Sequence, residues 1–354
     1  DPRCRFSHVR IIENTPARVV VHWRYLPVAA NGNHSQVDPI SGWEDWVDEY
    51  YTFYPDQTGM RKVIQHSHGI SLWPEEVIAF CQPGQRPEDV VELGAMTLAN
   101  LQGKKHTYTW ADKSPKFRSK GRRERGGYIH FGDKLGEKPS IMLVNMKSKY
   151  KPFQIFELEC NFTCFAHEHR KNVSHFPWWN HWPAAMIPSD GRYCQAADRP
   201  SHFSMAWASP VPHEGEDNTY IWTWMYGATR DKIDSLTPLA RSWTWSAKMV
   251  INSGASKSEY DSTQRCYVIS SSDEKEIDKL KFKLMGSERS PVVNPAFVVR
   301  NWGDHEAVLK VNGKKIPEGE EFRTGLVRRV NQYDLVVWLK KEADSKVEIS
   351  LEHK

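Results

Sequence analysis

Residues 48–68, DEYYTFYPDQTGMRKVIQHSH, carry the clearest signal of the fold in this chain. Residues 55–59, at the centre of the stretch, contain Pro, Asp and Gly, which favour tight turns. The runs on either side, 48–54 and 60–68, have the residue pattern of β-strands. The stretch therefore predicts a β-hairpin.

Residues 17–28, ARVVVHWRYLPV, predict another strand, because two sets of side chains alternate along it. The predicted core face carries Val19, Val21, Trp23 and Tyr25. We expect the opposite face to direct His22 and Arg24 outward.

Short strand-like runs separated by turn residues continue to the end of the chain, where Asn312-Gly313 is a further hairpin signal. This pattern predicts a mainly β protein, a large antiparallel β-sandwich with a small C-terminal β module. We expect residues 1–285 to form the main, catalytic region and residues 286–354 to form the module packed on it.

Composition narrows the class of partner. The net charge of +4 gives no general argument for nucleic acid, and the basic stretch 114–126 lacks the signature of a nucleic-acid-binding fold. No run of eighteen apolar residues occurs, so we expect no membrane span. The 15 tryptophans suit a protein that stacks on sugar rings. The predicted partner is therefore a polysaccharide.

Residues 160–194, CNFTCFAHEHRKNVSHFPWWNHWPAAMIPSDGRYC, form a long polar and aromatic stretch of the kind that often carries function. Cys160, Cys164 and the histidines of its first half offer enough ligands for a tetrahedral zinc ion. The sequence identifies no cofactor with certainty. The two ions considered are zinc and calcium. The alternative is a disulfide from Cys160 to Cys164 or Cys194 beside exposed histidines. The candidate metal ligands are His167, His169 and His175.

Other catalytic chemistries have less support. The chain contains no GxSxG elbow, P-loop or dinucleotide-binding fingerprint. A pair of carboxylates could serve glycoside hydrolysis, although a short acidic cluster is more often a solvated surface. The acidic residues of this cluster are Glu44, Asp45, Asp48 and Glu49.

β-Elimination from a uronate polymer needs a cation or amide to neutralise the carboxylate, a base to take the C5 proton, and an acid for the leaving oxygen. Our candidate base is His181. The candidate acids are Tyr50 and Tyr193. The candidate neutralising groups are Arg24, Asn180 and Arg192. Further histidines on the early strands are His22, His66 and His68. The rings expected to stack on sugars are Tyr54, Trp178, Trp179 and Trp182.

Three segments resemble the β-rich part of ulvan-lyase-like polysaccharide lyases of marine bacteria. They are GWEDWVDEYYTFYPDQTGMRK (42–62), NHWPAAMIPSDGR (180–192) and SPVVNPAFVVRNWG (290–303). The resemblance implies a secreted or periplasmic lyase that cleaves an acidic polysaccharide by β-elimination. The alternatives are a non-catalytic carbohydrate-binding module and a metal-dependent or glycoside hydrolase acting on polysaccharide.

Overall fold

The computed structural model describes residues 7–27, 44–67, 90–108, 138–164, 206–209, 211–216, 218–272 and 275–354, with a few isolated positions between these ranges. Contacts between residues divide the chain into two compact units. The first unit comprises Asp1–Val9, Trp23–Glu49 and Lys62–Thr237, and the second comprises Arg10–His22, Tyr50–Arg61 and Pro238–Lys354.

Strands dominate the described part of the chain up to residue 229. They are β1 (Ser7–Asn14), β2 (Val19–Tyr25), β3 (Trp46–Phe53), β4 (Thr58–His66), β5 (Val91–Ala99), β6 (Lys105–Tyr108), β7 (Ile141–Met146), β8 (Lys151–Phe156), β9 (Asn161–Cys164), β10 (Ala206–Ser209), β11 (His213–Glu214) and β12 (Thr219–Thr229). One sheet has the order β1-β2-β3-β4-β12-β8-β7-β5-β6, with β11 paired to β12, and β9 pairs with β10.

The predicted hairpin is confirmed, because β3 and β4 are neighbours in this sheet. The amide of Tyr54 donates to the carbonyl of Thr58 at 2.9 Å, and the amide of Gln57 donates to the carbonyl of Tyr54 at 3.2 Å. Gln57 has a φ of 63°, in the left-handed region that closes tight turns. The turn therefore spans the segment in which the sequence placed Pro, Asp and Gly.

The core of the first unit lies along β7, β8 and β12. All six residues of β7 are buried. Phe156 and Trp224 stack in this core with ring centroids 6.3 Å apart. A cluster of buried side chains surrounds them, including Met96, Leu98, Met142, Val144 and Trp222. Trp222 and Trp224 are therefore core residues.

After β12, a 3-10 turn (Ile233–Ser235) leads into the helix α1 (Leu236–Thr244). The remaining strands are β13 (Lys248–Ser253), β14 (Lys257–Asp261), β15 (Cys266–Ser270), β16 (Lys279–Met285), β17 (Val292–Val293), β18 (Ala296–Val299), β19 (Ala307–Val311), β20 (Lys314–Ile316), β21 (Phe322–Arg328), β22 (Tyr333–Leu339), β23 (Glu342–Ala343) and β24 (Lys346–His353). Two five-stranded sheets result, with the orders β13-β16-β24-β19-β20 and β14-β15-β18-β22-β21.

These two sheets form a β-sandwich in the second unit. Alternate residues of β16, among them Leu280 and Phe282, share one buried core with Phe297 and Val299 of β18. The other face of the β18 sheet is also buried, since Val298 packs in a second cluster. The prediction of a mainly β fold with antiparallel sheets is confirmed, although β15 and β18 pair in parallel.

The expected boundary at residue 285 falls inside this sandwich. Met285 is the last residue of β16, and β16 pairs with β24 from Lys279↔Glu352 to Met285↔Lys346. Strands before and after residue 285 therefore share one sheet and one core.

A buried ion pair holds the tip of the hairpin within the second unit. Nη2 of Arg265 donates to Oδ2 of Asp56 at 2.8 Å, and the two side chains are 4% and 9% exposed. The hydroxyl of Thr58 and the amide of the Asn294 side chain also donate to this carboxylate, at 2.6 and 3.2 Å. Burial alone would raise the pKa of Asp56, but the Arg265 charge and these donors hold that pKa below its ordinary value.

Substitution Asp56→Ala should lower the free energy of unfolding by about 3–5 kcal/mol, because it leaves the Arg265 charge buried without its partner. Urea unfolding followed by circular dichroism measures this loss. Asp344 is exposed, so Asp344→Ala is the matched control and should change the free energy of unfolding by less than about 0.5 kcal/mol.

The free energy of unfolding lost in Asp56→Ala should also depend on pH. Since the pKa of Asp56 is lowered by folding, its stabilising contribution is full above about pH 4 and disappears as the pH falls through its folded value. The gap between the wild type and Asp56→Ala should therefore narrow on acidification. A gap that stays constant or widens would contradict this role for the ion pair.

Candidate functional site

The strands β2, β3 and β4 bring Arg24, Asp48 and His66 together. Nε of Arg24 donates to Oδ1 of Asp48 at 2.7 Å, and Nη2 donates to Oδ2 at 2.8 Å. Nε2 of His66 lies 3.0 Å from the same Oδ2. Because β2, β3 and β4 are consecutive neighbours in the sheet, the central strand supplies the carboxylate that both flanking strands contact.

The three side chains differ in their access to solvent. The side chain of Asp48 is 4% exposed, whereas Arg24 is 57% exposed and His66 is 26% exposed. A buried carboxylate thus holds a cation and an imidazole that remain accessible. This is the arrangement in which a carboxylate orients a catalytic histidine.

The ring of His66 is also fixed by packing. Trp46 stacks on it with the centroids 4.6 Å apart and the planes 15° apart. When Nε2 of His66 donates to Asp48, Nδ1 carries the lone pair. In this tautomer Nδ1 is the acceptor nitrogen of His66, and the Asp48 carboxylate orients the ring.

The neighbouring carboxylates are buried, so the expectation of a solvated acidic cluster is wrong for Asp45, Asp48 and Glu49. Oδ2 of Asp45 accepts from the Gln65 amide at 2.9 Å. Oε1 of Glu49 accepts from the hydroxyl of Tyr25 at 2.7 Å. Consecutive strand residues point to opposite faces, so burial of both Asp48 and Glu49 shows that β3 is covered on both faces.

His22 and Tyr50, both in the second unit, form a separate pair. Their rings stack with centroids 4.7 Å apart and planes 17° apart. The prediction that His22 points outward is wrong, since this residue is 6% exposed. The Tyr50 ring packs directly against the His22 ring.

Tyr54 is buried in the second unit, at 5% exposure. Its hydroxyl donates to the carbonyl of Gln264 at 2.6 Å, and the Arg265 guanidinium lies 5.0 Å from its ring centroid. Burial raises the pKa of its hydroxyl, so it stays protonated. A ring in this position stabilises the fold and has no open face for a sugar.

The remaining predicted site residues lie outside the described residues. The catalytic candidates among them are His68, Asn180, His181, Arg192 and Tyr193. The expected sugar-stacking rings among them are Trp178, Trp179 and Trp182. The predicted metal ligands among them are His167, His169 and His175. The disulfide expected from Cys160 also depends on side chains, those of Cys164 and Cys194, that the structure does not describe.

The sequence reasoning missed the role of Asp48, which it grouped with a surface cluster. Arg24 was predicted as a cation of the site, and His66 was noted without a role. Opposite charges on adjacent predicted strands were the available signal, but the register that joins Arg24 to Asp48 could not be read from either strand alone.

A second arginine-rich feature was also missed and lies in the second unit. The side chain of Asp334 is 0% exposed and accepts from Arg300 and from Nε of Arg329, the latter at 2.9 Å. The two arginines are 38% and 44% exposed. They line an open cleft of about 550 Å³ together with Val330, Asn331 and Gln332.

Cys266, in the second unit, is unsuited to nucleophilic catalysis. Its thiol is 0% exposed, and burial raises its pKa to about 11. The Arg18 guanidinium, 4.0 Å from the sulfur, acts in the opposite direction but does not cancel this effect. The thiol therefore stays protonated near neutral pH.

Iodoacetamide at pH 8 should leave Cys266 unmodified in the native protein and alkylate it in urea, because the reaction needs an accessible thiolate. Mass spectrometry of the peptide that contains Cys266 measures the modified fraction. Rapid alkylation of the native protein would contradict the buried, protonated thiol.

Comparisons with known proteins add little to this geometry. No protein-family model matches the sequence, and no curated protein matches it. One solved structure with similarity to the chain is a polysaccharide lyase, at 10% identity and a TM-score of 0.18. The match covers 98% of this chain but 39% of that protein, so the chain spans about two-fifths of its length.

Within the described ranges, no helix has the length and apolar character needed to cross a membrane.

Proposed function

We propose that the chain cleaves an acidic polysaccharide by β-elimination at a uronate residue. The observation that carries the proposal is the buried Asp48 carboxylate, which holds the accessible side chains of Arg24 and His66. The polymer class follows the resemblance to ulvan-lyase-like enzymes, and ulvan is the first substrate to test. Because such a polymer is too large to enter a cell intact, the expected location is secreted or periplasmic.

Arg24 is suited to neutralise the uronate carboxylate. A guanidinium presents several N–H donors in one plane, which matches a carboxylate well. The two bonds from Arg24 to Asp48 fix the orientation of that plane. A carboxylate bound to Arg24 withdraws charge more strongly, so the C5 proton next to it becomes more acidic.

His66 is suited to take that proton. Nδ1 accepts the C5 proton, the electron pair forms the C4–C5 double bond, and the bond from C4 to the glycosidic oxygen breaks. The protonated His66 can then return the proton to the departing oxygen, which balances the reaction. His181 and Tyr193 remain sequence-based candidates for the base and the acid.

Incubation with ulvan and other uronate polymers, with absorbance of the unsaturated uronate as readout, tests the proposal. His66→Ala and Arg24→Ala should each lower the rate by at least about 100-fold, since the proton acceptor or the charge stabilisation is lost. His181→Ala, measured in parallel, separates the two candidate bases.

His213→Gln is the matched control, because His213 is an exposed histidine of the same unit that is bonded to a carboxylate, that of Glu157. It should retain the wild-type rate. Absence of signal on every polymer would contradict the lyase activity. A normal rate in His66→Ala would assign the base to another residue.

The cleft at Arg300 and Arg329 favours a second candidate function, binding of an acidic polysaccharide without cleavage. The buried Asp334 carboxylate holds both guanidinium groups beside an open cleft. Paired arginines at such a cleft suit repeated carboxylate or sulfate groups along a polymer.

Arg329→Ala should weaken binding of a uronate polymer by at least about tenfold, the loss expected when a charge-assisted hydrogen bond is removed. Affinity electrophoresis measures the change. Arg328→Ala removes the same charge from an exposed neighbour outside the cleft and should have a smaller effect. Equal losses in both variants would indicate a general charge effect and contradict a binding cleft.

A further inference from the structure

Three potential metal ligands meet at one end of the sandwich in the second unit. Glu276 precedes β16, His305 precedes β19, and His353 is the last residue of β24. The strands β16, β24 and β19 are neighbours in the sheet. The register places Ala307 opposite His353 and Lys279 opposite Glu352, so the three ligand-bearing segments lie at the same end of their strands.

Main-chain hydrogen bonds hold these segments together. The amide of His353 donates to the carbonyl of Asp278 at 3.0 Å, and the amide of Ile277 donates to the carbonyl of Asn301 at 2.9 Å. The indole N–H of Trp302 donates to the carbonyl of His305 at 3.0 Å. These hydrogen bonds fix the backbone that presents the three side chains.

We infer that Glu276, His305 and His353 bind a Zn²⁺ ion. One ligand atom from each side chain lies within 4.8 Å of the others. Nε2 of His305 lies 3.8 Å from Oε1 of Glu276. Zinc bonds of about 2.0–2.2 Å in tetrahedral geometry require ligand separations of about 3.4 Å, so side-chain rotations that open the stack of the His305 and His353 rings complete the site.

The surroundings of His353 are those of a metal ligand. Its Nε2 lies 2.8 Å from the carbonyl oxygen of Trp302, to which it can donate. A histidine that donates from one ring nitrogen to a backbone carbonyl has its other nitrogen directed and available for a metal. The rings of Trp302 and His305 pack against this imidazole, at centroid distances of 4.7 and 4.2 Å.

Gly303 leaves the space that the Glu276 carboxylate occupies. A Cβ added to Gly303 would lie 2.7 Å from Cδ and Oε1 of Glu276. Gly303 also has a φ of +82°, which suits glycine. The loop that carries His305 therefore approaches Glu276 closely enough to keep both ligands on one site.

The donor set favours a transition metal such as zinc over calcium or magnesium. Two imidazoles and one carboxylate suit zinc, whereas calcium and magnesium prefer oxygen ligands alone. Three protein ligands leave the fourth position to water. Because the ligands come from the ends of three neighbouring strands, the bound ion links these strands at that end of the sandwich. This inference does not depend on the proposed lyase activity.

The test compares the zinc content of the full chain and its variants after chelation, reloading with zinc and gel filtration, by inductively coupled plasma mass spectrometry. Glu276→Gln and His305→Gln should each bind one zinc ion per chain less than the wild type. The readout is the difference in zinc content between wild type and variant, because the predicted ligands His167, His169 and His175 could bind a separate ion. Both substituted side chains are about half exposed, so the fold should persist, which circular dichroism verifies.

His213→Gln is the control, because it removes an exposed histidine that faces a single carboxylate, and it should keep the wild-type zinc content. Zinc should also raise the melting temperature of the wild type and of His213→Gln by more than that of His305→Gln, since binding to the folded state stabilises it. Unchanged zinc content in Glu276→Gln and His305→Gln would overturn the inference. So would equal losses in all three variants.

Discussion

A buried carboxylate needs a cation or hydrogen-bond donors beside it, and this constraint applies throughout the described parts of the molecule. Three aspartates meet it in the same way: Asp48 with Arg24, Asp56 with Arg265, and Asp334 with both Arg300 and Arg329. Removal of a partner from such a pair leaves a buried charge that costs about 3–5 kcal/mol. Each arginine is therefore held in a defined orientation.

The consequence of this pairing depends on the exposure of the cation. Arg265 is buried with Asp56, so that pair stabilises the hairpin tip and cannot meet a large ligand. Arg24 is more than half exposed, so the same kind of pair presents a fixed cation to solvent. His66 shares that carboxylate, and this adds a proton acceptor beside the cation.

The sequence predicted the elements of the fold more completely than their burial. Residues 55–59 identified the hairpin, and Asn312-Gly313 identified the turn from β19 to β20, where both residues have positive φ. Alternation separates the two faces of a strand but does not say which face is covered. His22 was assigned to solvent for this reason, although Tyr50 packs against it.

The candidate site could be predicted only in part. Arg24 was identified as a cation of the site from its strand, yet its carboxylate partner comes from another strand, whose register a single sequence does not reveal. Asp48 was therefore grouped with its acidic neighbours as surface. The ligands Glu276, His305 and His353 were missed for a related reason, because the first and the last are 77 positions apart in the sequence and only the pairing of β16, β19 and β24 joins them.

The central claim, that the Arg24–Asp48–His66 site performs elimination on a uronate polymer, is tested most directly by the mass of the products. Elimination leaves a new unsaturated end, so each product that carries it is lighter by one water than the corresponding hydrolysis product. The account predicts these lighter oligosaccharides from a uronate polymer, and none from the same polymer after reduction of its carboxyl groups. Products with the mass expected for hydrolysis, or equal cleavage of the reduced polymer, would contradict it.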